Sequence, residues 1–161
     1  MRFSKWLNVN TLKTPGGETY HTVDLFDYVN IVAVDSASRI ILVEQHRYAV
    51  GSSNLELPGG LVDCSLPISQ IVTQELYEET GYIIFSSFHK LYEAYVDTGR
   101  LTNKFHCYFA KCEIGDLPAA ERGIKVHLVS KTELIDQTLS GVFNNALHIG
   151  AVQYAMNKEL I

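Results

Sequence analysis

Positive charge is scarce in this 161-residue chain: 13 Lys and Arg stand against 18 Asp and Glu, a net charge of −5, with no basic block. A dedicated nucleic-acid binder depends on clustered cations meeting phosphates, so that class is set aside. A phosphate-bearing small molecule stays open, because metal ions can bring the positive charge. Cysteine is sparse and odd in number (Cys64, Cys107 and Cys112, with no CxxC pair). That argues against a disulfide framework or structural zinc site and favours a reducing, cytoplasmic setting. No apolar run approaches the roughly 18 residues of a membrane span, and the first ten residues hold no apolar signal segment. A soluble protein without membrane partners is therefore expected. Four prolines and no low-complexity stretch leave no obvious linker, and the length suits about one domain.

Common nucleotide and metal signatures are missing too. There is no GxxxxGK[ST] or GxGxxG, and the six histidines, His21, His46, His89, His106, His127 and His148, show no ligand spacing. Each is expected to be a packing or surface residue.

What the chain does contain is strand signal, then a helix, then more strands and a last helix. Residues 1–27 are polar, with Pro15-Gly16-Gly17 as a turn between two short extended pieces. They form an N-terminal extension too thin to be a domain alone, followed by a domain over 28–161. Val29–Val34 and Ile40–Glu44 are β-branched apolar runs around the turn Asp35–Ser38, which predicts a buried hairpin. Gly51–Gly60 reads as loop with a short strand at Leu55–Leu57. Pro67–Thr80 is the clearest helix, with Ser65 expected as its cap and Gly81 as its stop. Strands are expected at Ile83–Tyr95, Lys104–Lys111 and Lys125–Val129, and a helix from about Asn144 to Leu160. The order predicts an α+β fold with a mixed sheet rather than a doubly wound one.

The helix carries the chemistry. At about 100° per residue, Ile68, Ile71, Val72 and Leu76 form a core-facing stripe, and Glu75, Glu78 and Glu79 fall on the same side. Carboxylates near a core resist desolvation, and near a helix C-terminus they oppose the macrodipole. A bound cation relieves both costs, and Mg²⁺, which takes carboxylate oxygens, suits. A solvated acidic face is the ordinary reading of ExxEE. The context weighs against it: Leu57-Pro58-Gly59-Gly60 precedes, and two glycines let backbone approach a ligand closely.

Gly60, five residues, Leu66, seven residues, then Gln74-Glu75-Leu76-Tyr77-Glu78-Glu79-Thr80-Gly81-Tyr82 resembles the Nudix box, GX5EX7REUXEEXGU with U apolar. Val43-Glu44-Gln45-His46-Arg47-Tyr48 ahead of Leu55–Gly60 is similar to the ADP-ribose and nucleotide-sugar pyrophosphatase branch. So are Ile124–Ser130 and the last helix. The resemblance implies a Nudix fold, a mixed β-sheet sandwiched between helices.

It also implies a site. Glu75 and Glu79 match the principal metal ligands, Glu78 a further ligand or metal-water partner, and the Gly59 carbonyl another. Arg47 matches a substrate-holding position, where a guanidinium fork suits a pyrophosphate, against the plain reading of a strand-end cation. Glu56 matches a substrate-contacting carboxylate. Trp6 stands where a base-stacking or interface Trp is found, without its usual polar companions. The box departs twice, with Leu66 for its first Glu and Gln74 for its Arg; these pair in the family, and an apolar or neutral loop-to-helix contact can take the place of that ion pair. Arg122 occupies the usual place of a catalytic-base Glu, with Glu121 one residue earlier, so Glu121 or a helix carboxylate is the candidate base.

The implied activity is Mg²⁺-dependent hydrolysis, with Mn²⁺ as a substitute, of a nucleoside diphosphate joined to another group such as ADP-ribose or a nucleotide sugar. A homodimer through residues 1–27 is implied as well. Two rivals remain at this point: a Nudix-fold module that binds a nucleotide without turnover, motivated by Leu66, Gln74 and Arg122, and a structural domain with an incidental acidic helix.

Overall fold

A computed structural model of the chain describes residues 4–116 and 121–161. The first three residues of the expected extension lie outside the described residues.

The β-branched runs form β3 (Asp27–Val34) and β4 (Ile40–Arg47). Asp35 closes the turn between them, its Oδ1 accepting from the Ala37 and Arg39 backbone N–H groups, each at 2.9 Å. The hairpin holds for one register step, Val34 opposite Ile40. Beyond it the strands part, and β5 (Ser52–Glu56) and β6 (Gly59–Val62) fill the gap. β5 pairs with β4 and β6 pairs with β3, each on the edge that faces the other strand of the hairpin. The segment Leu57-Pro58 therefore crosses a wedge between them. Proline, which has no N–H to leave unpaired, suits such a crossing. Gly59-Gly60, expected as loop, is strand for this reason: β3 offers backbone partners that local sequence does not reveal.

β8 (Lys104–Ile114) runs parallel to β3 on its other edge. β7 (Tyr82–Tyr95) lies outside β8, and β9 (Lys125–Val129) lies on the far edge of β4. Strand alternation divides the core in two. Val29, Ile31 and Ala33 of β3, with Tyr108, Ala110 and Cys112 of β8, meet α1 (Ile68–Thr80) on one face. Val32 and Val34, with Phe105, Cys107 and Phe109, meet α2 (Lys131–Leu139) and α3 (Ala146–Asn157) on the other. The fold is α+β, a mixed sheet between helices.

α1 stops at Gly81, in the left-handed conformation at φ 73°, as expected. Its start corrects the expectation: Pro67 is the cap residue and no side chain caps the helix, so Ser65 does not. The Pro67 carbonyl already receives the Gln70 and Ile71 N–H groups, and Ser65 lies two residues too early. Helix α2 was not foreseen, although Ser130-Lys131-Thr132-Glu133 is a capping box, with the Ser130 hydroxyl and Glu133 carboxylate each bonded to the other's backbone N–H. β1 (Asn8–Lys13) and β2 (Thr19–Asp24) form a separate two-stranded sheet, touching the rest through a bridge from Val23 to Leu101. Among the described residues no helix is long and apolar enough to cross a membrane.

Candidate active site

The wedge opens a cleft of about 740 Å³ between the end of α1, the β4–β5 pair and the start of α3. Its geometry begins at Leu57–Gly60, which is tied on every side. Asn30 donates its amide to the Leu57 and Pro58 carbonyls at 3.3 and 3.4 Å, Ile31 N–H donates to Pro58 O, and Leu57 N–H donates to His148 Nδ1 at 3.0 Å. Gly59 N–H points the other way and donates to Glu79 Oε2 at 2.9 Å.

The two glycines are required by close approach. A Cβ on Gly59 would stand 2.1 Å from the Val29 carbonyl oxygen. A Cβ on Gly60 would stand 2.4 Å from Cδ of Glu75, so this carboxylate lies directly on the glycine backbone.

Glu79 is buried, and Gln45 Nε2 donates to its second oxygen at 3.3 Å. Each oxygen thus holds one donor, which fixes the plane of the carboxylate. Among the described residues no cation forms an ion pair with it. Burial above all, then Glu75 and Glu121, push its pKa up to about 8 against the pull of the Gly59 N–H and Arg47. Glu75 rises to about 7, through burial and then the charges of Glu78, Glu121 and Asp63. Asp63, Glu75, Glu79 and Glu121 all line the cleft. Glu121 is brought there by its backbone N–H, which donates to the Glu78 carbonyl at 3.0 Å.

Arg47 faces them from β4, but its charge is engaged. Nε and Nη2 form a fork on buried Glu56, at 3.0 and 2.5 Å, across the β4–β5 pair. Burial of Glu56 makes this pairing obligatory, and Nη1 of Arg47 is the edge left over.

The remaining expected residues lie elsewhere. Glu78 is not among the residues lining the cleft; it accepts from Gln74 Nε2 at 2.8 Å. Gln74 therefore braces a carboxylate of its own helix, and Leu66 is exposed. Trp6 is outside the cleft, set edge-on to Phe26 with Lys5 Nζ over its ring at 3.9 Å. Asn30, Gln45, Asp63 and His148 were not singled out as site residues from sequence. Gln45, Asp63 and His148 lie inside the segments resembling the family but in positions that no motif letter marks, and Asn30 reaches the cleft through the pairing of β3 with β6.

Hard oxygen donors of this kind fit a divalent cation. Glu75 and Glu79 are two carboxylates held on one wall, their pKa values raised by burial and by neighbouring carboxylates. Among the described residues no three His, Cys, Asp or Glu side chains are grouped to hold a metal ion by themselves.

An α+β sheet wedged open over an acidic helix end defines a class of fold, and comparison with known proteins agrees. The architecture is similar to a solved structure described as an ADP compounds hydrolase, with TM-score 0.81 and 18% identity over 98% of this chain and 88% of that one. In sequence, the chain is 30% identical over 133 residues to GDP-mannose pyrophosphatase of Yersinia enterocolitica, covering 76% of this chain and 69% of that protein. It is 34% identical over 100 residues to putative nudix hydrolase 2 of Caenorhabditis elegans, covering 62% of this chain and 44% of that protein. A cytidylyl phosphonate hydrolase of Streptomyces rubellomurinus, CMP-5'-(N-acetyl-N-hydroxy-3-aminopropyl)phosphonate hydrolase, is 37% identical over 83 residues, 49% of this chain and 40% of that one. The chain thus spans less than half the length of these last two relatives. No family model matches. The chain belongs to the Nudix hydrolase family.

Proposed function

We propose that the chain is a divalent-metal-dependent hydrolase, with Mg²⁺ the metal and Mn²⁺ a substitute, that cleaves the pyrophosphate of a nucleoside diphosphate joined to a sugar. ADP-ribose and nucleotide sugars are the first substrates to try. The observation that carries the reading is the uncompensated pair Glu75 and Glu79, pushed to about 7 and 8 in one cleft with Arg47. An acidic cleft repels a pyrophosphate unless a cation stands between them.

Glu75 and Glu79 would hold the cation, with the Gly59 carbonyl as a further donor, and Glu78 would join them only on leaving Gln74. Bound there, it supplies charge neutralisation at phosphate oxygens and acidity for an attacking water. The chain's own groups do the rest. Gly59 N–H and Gln45 keep the Glu79 carboxylate in plane. Arg47, braced by Glu56, offers Nη1 to a phosphate oxygen. Glu121, carried to the cleft by its bond to the Glu78 carbonyl, takes the proton of the attacking water on its carboxylate. The products are a nucleoside monophosphate and a sugar phosphate.

Trp6 is assigned to a substrate arm or subunit contact, over residues 1–27, in a homodimer. Its support is the separate β1–β2 sheet, where Leu12 remains exposed, with Trp6 exposed just ahead of it. The free thiols of Cys64, Cys107 and Cys112 support a reducing, cytoplasmic setting.

The test is a screen of ADP-ribose, nucleotide sugars and dinucleoside polyphosphates with Mg²⁺ and Mn²⁺, reading monophosphate release. Release that is abolished by EDTA and by Glu79→Gln is the expected result. Unchanged release by Glu79→Gln removes the metal assignment. Stabilisation by nucleotides with no turnover under any metal replaces the enzyme with a binding module.

A further inference from the structure

His148, on the first turns of α3, is 5% exposed and lines the cleft. Its ring is packed between Phe105 and Phe143, with centroids 6.5 and 6.4 Å away. Leu57 N–H donates to Nδ1, so Nδ1 is an acceptor and the ring's proton belongs to Nε2. Burial drives its pKa down to about 4, and the ring is neutral at any working pH. Nε2 has no hydrogen-bond partner among the described residues, yet it is not among the atoms sealed from solvent. In a ring this enclosed, the remaining opening is the cleft that it lines.

Two neighbours share that wall. Asn145 caps α3 with Oδ1, which accepts from Leu147 N–H at 3.1 Å, so its Nδ2 has no protein partner among the described residues. Glu56 lines the same cleft, close enough for its charge to act on the His148 ring, with its two oxygens accepting from Arg47. The wall therefore offers neutral donors beside a buried carboxylate. Charge on this wall is already paired, Arg47 against Glu56, so the donors His148 Nε2–H and Asn145 Nδ2, unpartnered among the described residues, suit a neutral acceptor. A hydroxyl is well matched, because it accepts from an N–H and donates to a carboxylate at once.

We propose that His148 is a specificity-determining residue whose Nε2–H, with Asn145 and Glu56, binds a hydroxyl of a sugar carried by the substrate. The inference rests on the proposed nucleotide-sugar reading and adds which residues recognise the sugar. The hydroxyl belongs either to the nucleoside ribose or to the sugar beyond the pyrophosphate.

Two variants separate the ring's two bonds. His148→Asn keeps an acceptor for Leu57 N–H and drops the cleft donor; His148→Gln keeps an amide N–H toward the cleft and drops the acceptor. Wild type and both variants are assayed with ADP-ribose, a nucleotide hexose, their 2′-deoxynucleoside forms and forms deoxygenated in the distal sugar. Binding of the same compounds is measured by calorimetry with Ca²⁺ in place of Mg²⁺. His148→Asn should raise KM and Kd about two- to tenfold, the worth of one neutral hydrogen bond, with kcat moved less. One deoxy compound should bind wild type and His148→Asn equally, and its position says which sugar is read. His148→Gln should keep near-wild-type Kd at the cost of a lower Tm.

An unchanged Kd in a folded His148→Asn protein overturns the inference, as does an equal weakening for every deoxy compound. If nucleotide sugars bind without hydrolysis, the proposed function fails and the binding series still decides His148. If none binds, both readings fall.

Discussion

Gly60 and Gly59 are adjacent, yet an alanine at each should damage different properties. At Gly60 the added Cβ would lie 2.4 Å from Glu75 Cδ and 2.5 and 2.6 Å from its oxygens. Ordinary van der Waals contact starts at 3.4 Å, about 1 Å farther out. What must move is the end of a flexible side chain, and Gly60 is not at positive φ, so alanine suits the backbone. The fold survives and the carboxylate shifts. A displacement of about 1 Å at a group that holds reacting partners costs on the order of 10²-fold in rate. At Gly59 the added Cβ would stand 2.1 Å from Val29 O and 2.8 Å from the Asn30 Cα, backbone of β3 that is paired on both edges. That strand cannot give way, and overpacking there costs about 3 kcal/mol, or a Tm lower by about 6–12 °C. Thermal unfolding of the metal-free proteins and kcat/KM on the best substrate read the two properties separately. Gly60→Ala should keep Tm within about 3 °C, the shift for less than 1 kcal/mol, and lose activity; Gly59→Ala should lose Tm. Retained activity in Gly60→Ala, or equal Tm losses, would refute the placement of Glu75 against Gly60.

Other outcomes follow from the same geometry. Glu75 and Glu79 are raised to about 7 and 8, so the folded, metal-free protein holds protons that the unfolded chain releases near 4.5. Their contribution is complete below about pH 4.5 and is lost as pH rises through about 7 and 8, so Tm should fall over that window. Mg²⁺ competes with these protons and should raise Tm more at pH 8 than at pH 5.5, and Glu79→Gln should flatten both trends. Arg47→Ala strands buried Glu56 and should cost about 2–3 kcal/mol by denaturant unfolding. Adding Glu56→Gln should recover stability but leave KM raised, and recovery of KM would remove Arg47 from the phosphate. Glu121→Gln should lower kcat by about 10²-fold or more with the Mg²⁺ requirement unchanged; a kcat within twofold of wild type assigns the base elsewhere.

Much of the site was legible because its core is helical. Glu75, Glu78 and Glu79 are related by a local 3.6-residue repeat, and Gly81 marks the end, so their common side needed no tertiary information. Within that side the structure separates them. Glu75 and Glu79 line the cleft, while Gln74 holds Glu78 along the helix surface. The strands of β3 and β4 were legible from composition, but their separation was not, since it depends on β5 and β6 filling the gap. Helix α2 carried its capping box in plain view at Ser130 and Glu133.

The sequence by itself determined the α+β order of elements, the acidic helix with its glycine-rich approach, and the family these residues resemble. It could do so because periodicity, caps and motif spacing are properties of neighbours along the chain. Tertiary structure alone decided that Arg47 is spent on Glu56, that Asn30 and His148 hold the Leu57–Gly60 crossing, and that Glu121 reaches the acidic helix. Each of those joins segments distant in sequence, 91 residues apart for Leu57 and His148. Partners like these are selected by burial, where an unpaired polar group is too costly to leave.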